Sequence, residues 1–396
     1  MLSFDNTEIA FRYKTNTGLT RAYWLFRLIS NNLLVLAGKT FTNAALGMHL
    51  PIDWAIKPTL YKHFVGGETI EACLPTVRLL EKYNVKAILD YSVEGGKNNE
   101  TMERTLAETL RTIINASTDA NVHFAVFKPT AFASAEVLEY ASSGKVLRSG
   151  IEAGVDLFKQ RVETLCRTAY DNGVPLMIDA EDSWYQSFVD DVVTEMMEKY
   201  NKEKAIVYNT LQMYRTDRLA FLKTTYQKAV AGNYQLGIKF VRGAYMERER
   251  KRAAEMAYPS PIQPDKPATD RDYDAALTFS VEHIDRISIF NGTHNEISNL
   301  HLVGLMERQG LAKNDSRIWF AQLYGMSDHI SFNLADAGYN VAKYMPYGPV
   351  RNILPYLIRR AEENTSISGQ MGREMSLIIR EKKRRETEAN EEFLLK

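Results

Sequence analysis

The chain has 396 residues, 45% hydrophobic and 25% charged, the profile of a soluble globular protein with a large core. Lysine plus arginine and aspartate plus glutamate number 49 each, so no net field draws the chain to nucleic acid or an anionic membrane, and no nucleic-acid partner is expected. The two cysteines, Cys73 and Cys166, lie far apart and lack metal-ligand spacing, which predicts a reduced, cytoplasmic protein.

The opening residues, MLSFDNTEIAFRYK, carry early acids and no apolar run before a cleavage site, so no secretory signal is expected. AYWLFRLISNNLLVLAG is interrupted by Arg27 and two asparagines and reads as a packed helix, not a membrane span. Residues 1–84 are therefore read as an N-terminal helical segment. Eight short β-branched or aromatic runs follow: AILDY (87–91), VHFAVFKP (122–129), VPLMIDA (174–180), AIVYNTLQ (205–212), LGIKFVRG (236–243), ISIFNGTH (287–294), IWFAQL (318–323) and NVAKYMP (340–346). Helical patterns such as TMERTLAETLRTII separate them, and strands alternating with helices mean βα units around a parallel sheet. Eight units predict an α/β fold, a closed (β/α)8 TIM-like barrel over residues 85–375. The long ERERKRAAEMAYPSPIQPDKPATDRD stretch after the fifth strand is expected to be functional or mobile. Residues 376–396 read as a charged helix or tail with a solvated face.

Active sites of such barrels are built at the C-terminal ends of the strands. The predicted strands end at Asp90, Lys128, Asp179, Gln212, Arg242, His294, Gln322 and Tyr344, each with a hydrogen-bonding side chain. Further on, PYLIRRAEEN (355–364) sets Tyr356, Arg359, Arg360 and Glu363 at i, i+3, i+4 and i+7, on one helix face, with Leu357 and Ile358 turned toward a core. Lys128, Arg359 and Arg360 suit a carboxylate held by guanidinium forks, and Asp179 and Glu94 can neutralise part of that cluster. The glycine of RGA (242–244) allows close backbone approach to a phosphate or flat cofactor. There is no GxGxxG, no P-loop and no HExxH, and the seven histidines do not cluster, so no metal site is expected. Three readings stay open on residue chemistry: a Schiff-base aldolase with Lys128 as nucleophile and Asp179 as proton shuttle, a flavin oxidoreductase acting on a carboxylate-bearing substrate, and a barrel retained as a binding module.

The ordered segments LDYSVE, FKPTA, MIDAE, YNTLQMY, KFVRGAYMERER, GTHNE, QLYGMSD, KYMPYGP and YLIRRAEEN resemble the proline dehydrogenases, from about Ala87 to the helix holding Glu363. KFVRGAYM and YGPVRNILPYLIRRAEEN are similar to the eukaryotic-type versions, and no aldehyde dehydrogenase region follows, as in monofunctional members. The resemblance implies oxidation of L-proline to Δ1-pyrroline-5-carboxylate by hydride transfer to FAD. Electrons would pass to a membrane quinone, with peripheral membrane contact. It assigns Lys128, Arg359 and Arg360 to the substrate carboxylate, and Tyr344 and Tyr356 to the proline ring. Glu94 would be a gate toward the first arginine. Asp179 and Lys239 would be the catalytic positions, Asp179 steadying the arginines. Gln212, Lys239, Arg242, Gly243, Ala244, Thr293, His294 and Glu363 would contact the flavin. Many bacterial members carry arginine where this chain has Lys239, which supplies charge but not a planar fork.

Overall fold

The computed structural model describes residues 2–31, 35–36, 40, 56–92, 98–146, 148–366 and 368–394. Eight strands form a closed barrel in sequence order: β1 (Val85–Tyr91), β2 (Val122–Phe127), β3 (Leu176–Ile178), β4 (Val207–Gln212), β5 (Leu236–Val241), β6 (Ile287–Gly292), β7 (Ile318–Leu323) and β8 (Val341–Tyr347). The pairs are parallel, with β3 in register from Leu176 opposite Val207 and β4 from Tyr208 opposite Gly237. All eight predicted runs are strands. Each is covered on both faces, and every residue of β4 and β8 is buried, which is why these strands read as continuous apolar stretches. β3 is shorter than its run because Pro175 has no N–H to give the ladder. Asp179 leaves the strand while its amide still donates to the Phe127 carbonyl at 2.9 Å.

Two compact units are distinguished within the chain, and their boundaries fall inside β1 and at Ala321/Gln322 in β7. The Lys86–Ala321 unit is centred on aromatic rings: Phe124 meets Tyr208, Phe290 and Trp319 edge-on at 5.9, 5.1 and 5.3 Å. Its long helices Asn99–Thr118 and Ser183–Tyr200 follow the strands as predicted, whereas the stretch read as a long connection after β5 holds helix Met246–Glu255 and the start of helix Lys266–Glu282.

The other unit joins the two ends of the chain, Met1–Val85 and Gln322–Lys396. Helix Asn16–Ile29, capped by Thr15 through its Gly18 amide at 3.1 Å, contributes Leu19 and Phe26 to a buried cluster with Ile353, Leu357, Leu377 and Ile378. Helix Ser368–Leu394 carries the mixed-charge C-terminal run, whose face is not wholly solvated. Glu381 is fully buried, accepting from Arg384 and Arg385, and Arg385 also donates to the Phe11 and Lys14 carbonyls. A second ionic knot lies below Ser327. Asp328 pairs with Lys343 at 2.9 Å and Lys14 at 3.1 Å and accepts from Tyr13 at 2.6 Å. Those partners hold the Asp328 carboxyl well below its ordinary range against its own burial. Among the described residues no helix is long and apolar enough to cross a membrane.

Candidate active site

Within the Lys86–Ala321 unit, the C-terminal strand ends gather a chain of alternating charge. Asp90, near the end of β1, accepts from Lys128 at 3.1 Å. Lys128 follows β2 directly and lies 3.5 Å from Asp179, the first residue after β3. Asp179 in turn accepts from Lys239 of β5 at 2.6 Å. The four side chains are at most 13% exposed, so two cations and two anions neutralise one another out of bulk water. Asp90 is also held by the Ser92 hydroxyl.

Beside this chain, Gln212 ends β4 fully inside the protein and donates to the Glu181 carbonyl at 2.6 Å. Glu181 is fixed by the Thr130 amide and hydroxyl at 2.9 and 2.7 Å. Arg242, just past β5, puts Nε and Nη2 on Asp270 at 2.9 and 2.6 Å and Nη1 on the Thr293 hydroxyl at 2.6 Å. Its guanidinium carbon lies 4.4 Å from the Tyr273 ring centroid, and the two cations Arg242 and Lys266 draw the Asp270 carboxyl below its ordinary range despite partial burial. Gly243 has φ 128°, and a Cβ there would sit 2.6 Å from the buried Tyr214 ring, so only glycine lets the backbone turn here. Ala244 beyond it is exposed, and His294 is half-buried after Thr293.

In the other unit, Tyr344 and Tyr356 are buried, and Arg360 is only 7% exposed with its guanidinium carbon 5.2 Å from the Tyr356 ring centroid. A solvated face does not describe that helix. Arg359 is half-buried beside it. Glu94 and the Glu363 side chain lie outside the described residues. The sequence reading missed Glu181, Asp270 and Ser298, whose hydroxyl accepts from Arg242 Nη2 at 3.0 Å; each stands in or next to a quoted motif or the long β5 connection, but only its partner in the fold reveals its use.

A closed parallel barrel with a buried, charge-balanced set of side chains at its C-terminal strand ends is the scaffold of a barrel enzyme. A family model described as proline dehydrogenase matches residues 73–373, and the chain belongs to that family. It is accordingly an oxidoreductase acting on proline, in proline catabolism. The chain is 36% identical over 323 residues to the carbapenem antibiotics biosynthesis protein CarD of Pectobacterium carotovorum subsp. carotovorum, covering 81% of this chain and 83% of that protein. It is 31% identical to the hydroxyproline dehydrogenase of Xenopus laevis, covering 97% and 90%. Among solved structures, proline utilization A (PutA) from Bdellovibrio bacteriovorus shares the fold with a TM-score of 0.70 at 20% identity. That likeness covers 90% of this chain, which spans only 38% of the solved one.

Proposed function

We propose that the chain oxidises L-proline to Δ1-pyrroline-5-carboxylate with FAD as the hydride acceptor and a membrane quinone as the onward acceptor, at a peripheral membrane contact. The observation that carries this reading is the buried Asp90–Lys128–Asp179–Lys239 chain, an internally balanced ion set of the kind a zwitterionic amino acid can enter. Lys128, Arg359 and Arg360 bind the substrate carboxylate, and Tyr344 and Tyr356 flank the ring. Asp90 and Asp179 keep Lys128 in place before substrate arrives. Glu94 gates the arginines.

The donor set fits a flavin. Lys239 and Arg242 offer cations toward its electron-rich and phosphate groups, and Gln212, Thr293 and His294 offer neutral hydrogen-bonding groups. Gly243 and Ala244 would offer bare backbone to it, and Glu363 would add a further contact. When bound, FAD supplies a two-electron acceptor for the hydride from the ring carbon next to nitrogen. The reactive substrate form is the neutral amine, whose lone pair stabilises the developing iminium. Holding it in one orientation contributes on the order of 7–11 kcal/mol to lowering the barrier.

The test is an absorbance spectrum of the purified protein. Flavin bands that bleach on adding L-proline, with FAD released intact on denaturation, support the reading. Borohydride trapping of a substrate on Lys128, with no flavin present, would replace it with the aldolase chemistry.

A further inference from the structure

Helix Ser183–Tyr200 begins four residues after Asp179, and the residue in its capping position, Asp182, makes no side-chain bond to the helix's free amides. Another helix caps it instead. Glu249, in Met246–Glu255 after β5, accepts from the Ser183 amide at 2.6 Å and from the Ser183 hydroxyl at 2.5 Å. An anion at a helix start is favourable, since the first amides lack partners within the helix. Glu249 is nevertheless fully buried, and a buried carboxylate is a costly way to cap a helix that a local serine or aspartate could cap from the surface.

The neighbouring residues make the same connection. Asp182 is spent on Arg248, the residue before Glu249, and Trp184 lies under the guanidinium carbons of Arg248 and Arg252 at 5.6 and 4.4 Å. Three consecutive residues after β3 thus meet one short helix after β5. β3 and β5 are not neighbours in the sheet, because each pairs with β4. The two strand ends are bridged twice, once by Asp179 on Lys239 and once by Ser183 on Glu249. Between the bridges run only the short segments Asp179–Ser183 and Lys239–Glu249. Gln212 of β4 donates into the first segment through the Glu181 carbonyl.

We propose that Glu249, acting through Ser183, is a positioning residue that fixes Asp179 against Lys239 by tying the end of β3 to the helix after β5. Its catalytic consequence rests on the proline-oxidation reading above; its geometric consequence does not. Breaking the outer bridge releases the Ser183 end of the Asp179–Ser183 segment, leaving it held by the Asp179 amide on Phe127, Glu181 on Thr130 and Gln212 on the Glu181 carbonyl, so the inner ion pair loosens without any change in its own residues.

The experiment compares wild type with Glu249→Ala, Glu249→Gln and Ser183→Ala, selecting variants with wild-type melting temperature. The first readout is the rate of Lys239 acetylation by an amine-reactive ester, followed by mass spectrometry. Glu249→Ala is expected to speed labelling at least tenfold, Ser183→Ala about threefold, and Glu249→Gln less than Glu249→Ala because its amide oxygen still accepts from Ser183. The second readout is kinetics per bound flavin: Glu249→Ala should lower kcat at least tenfold with KM for proline within threefold, and glutamine should restore part of it. Unchanged Lys239 labelling in Glu249→Ala overturns the proposal, and where that variant does not fold, unchanged labelling in Ser183→Ala does so. A kcat per flavin equal to wild type in Glu249→Ala also overturns it. Wild-type protein that leaves proline untouched while the labelling order holds sinks the proline reading and leaves the positioning role standing.

Discussion

At the scale of single residues, Arg360 and Tyr356 illustrate how burial changes the meaning of a charged helix face. A guanidinium that is 7% exposed and lies over an aromatic ring has been taken out of water at a cost that a solvated ion pair does not carry. If Arg359 and Arg360 grip the substrate carboxylate, Arg359→Met or Arg360→Met should each raise KM for proline at least tenfold. A charged hydrogen bond contributes about 1.5–3 kcal/mol. Flavin content should hardly change, and unaltered proline kinetics in both variants would return the arginines to a structural role. Tyr356 bears on substrate choice, which matters because one relative is named a hydroxyproline dehydrogenase. If the face of the buried Tyr356 ring packs on the substrate, it leaves no room for a 4-hydroxyl and offers it no partner, and desolvating a hydroxyl unpaired costs about 1–3 kcal/mol. L-proline should therefore be preferred over trans-4-hydroxy-L-proline at least tenfold in kcat/KM in a dye-reduction assay. Equal efficiency toward both would mean that Tyr356 does not meet the ring.

At the scale of elements, the loop from β7 into helix Asp328–Asp336 is held by groups whose titration is displaced in opposite senses. Burial raises the Glu374 carboxyl to about 7, opposed by His329 and reinforced by Asp328, while its oxygen accepts from the Ser327 amide at 2.5 Å. Burial lowers His63 to about 3, with Lys14 acting in the same sense, and its ring bonds the Gly325 carbonyl at 2.8 Å. Glu374 therefore adds stability that is fully present below about 4.5 and lost as pH rises through about 7. His63 adds stability present above about 6.5 and lost as pH falls toward about 3. Between pH 5 and 6.5 the two slopes oppose each other, so this pair of groups together adds little pH dependence there. Glu374→Gln keeps the acceptor and removes the titration. Its stability relative to wild type should rise between pH 5 and 8, by on the order of 2 kcal/mol in urea unfolding. A constant difference across that range would show that Glu374 is ionised throughout.

The same elements show what sequence pattern carries. The strands are legible because burial on both faces forces apolar runs, and Lys128, Asp179 and Gln212 are legible because barrel sites lie at strand ends. That Asp179 serves Lys239 is not, since β3 and β5 are separated by β4 and no periodicity couples them. Glu249 is hidden more deeply. It lies in the stretch read as a long connection after β5, and nothing in the spacing of MERERKRAAE distinguishes the one glutamate that the fold encloses.

At the scale of the whole molecule, one of the two units is made from both ends of the chain. Leu377 and Ile378 of the last helix share a buried cluster with Phe11 of helix Thr7–Phe11 and with Leu19 and Phe26 of helix Asn16–Ile29. Removing residues 1–31 should therefore expose apolar surface on the last helix, each large side chain losing about 1.5–3 kcal/mol of burial. The truncated chain should bind a hydrophobic dye several-fold more strongly than the full chain and unfold at lower urea. Dye binding and unfolding identical to the full chain would mean that the cluster does not depend on its N-terminal members.

This discontinuous construction also sets a timetable. During synthesis at about 5–20 residues per second, helix Asn16–Ile29 leaves the ribosome long before Ser368–Leu394 exists, a wait on the order of tens of seconds. In that interval Leu19 and Phe26 can meet Tyr61 and Phe64 of the same cluster, whereas Ile353, Leu357, Leu377 and Ile378 join them only as the end of the chain emerges. Helix Asn16–Ile29 is thus made long before its cluster is complete.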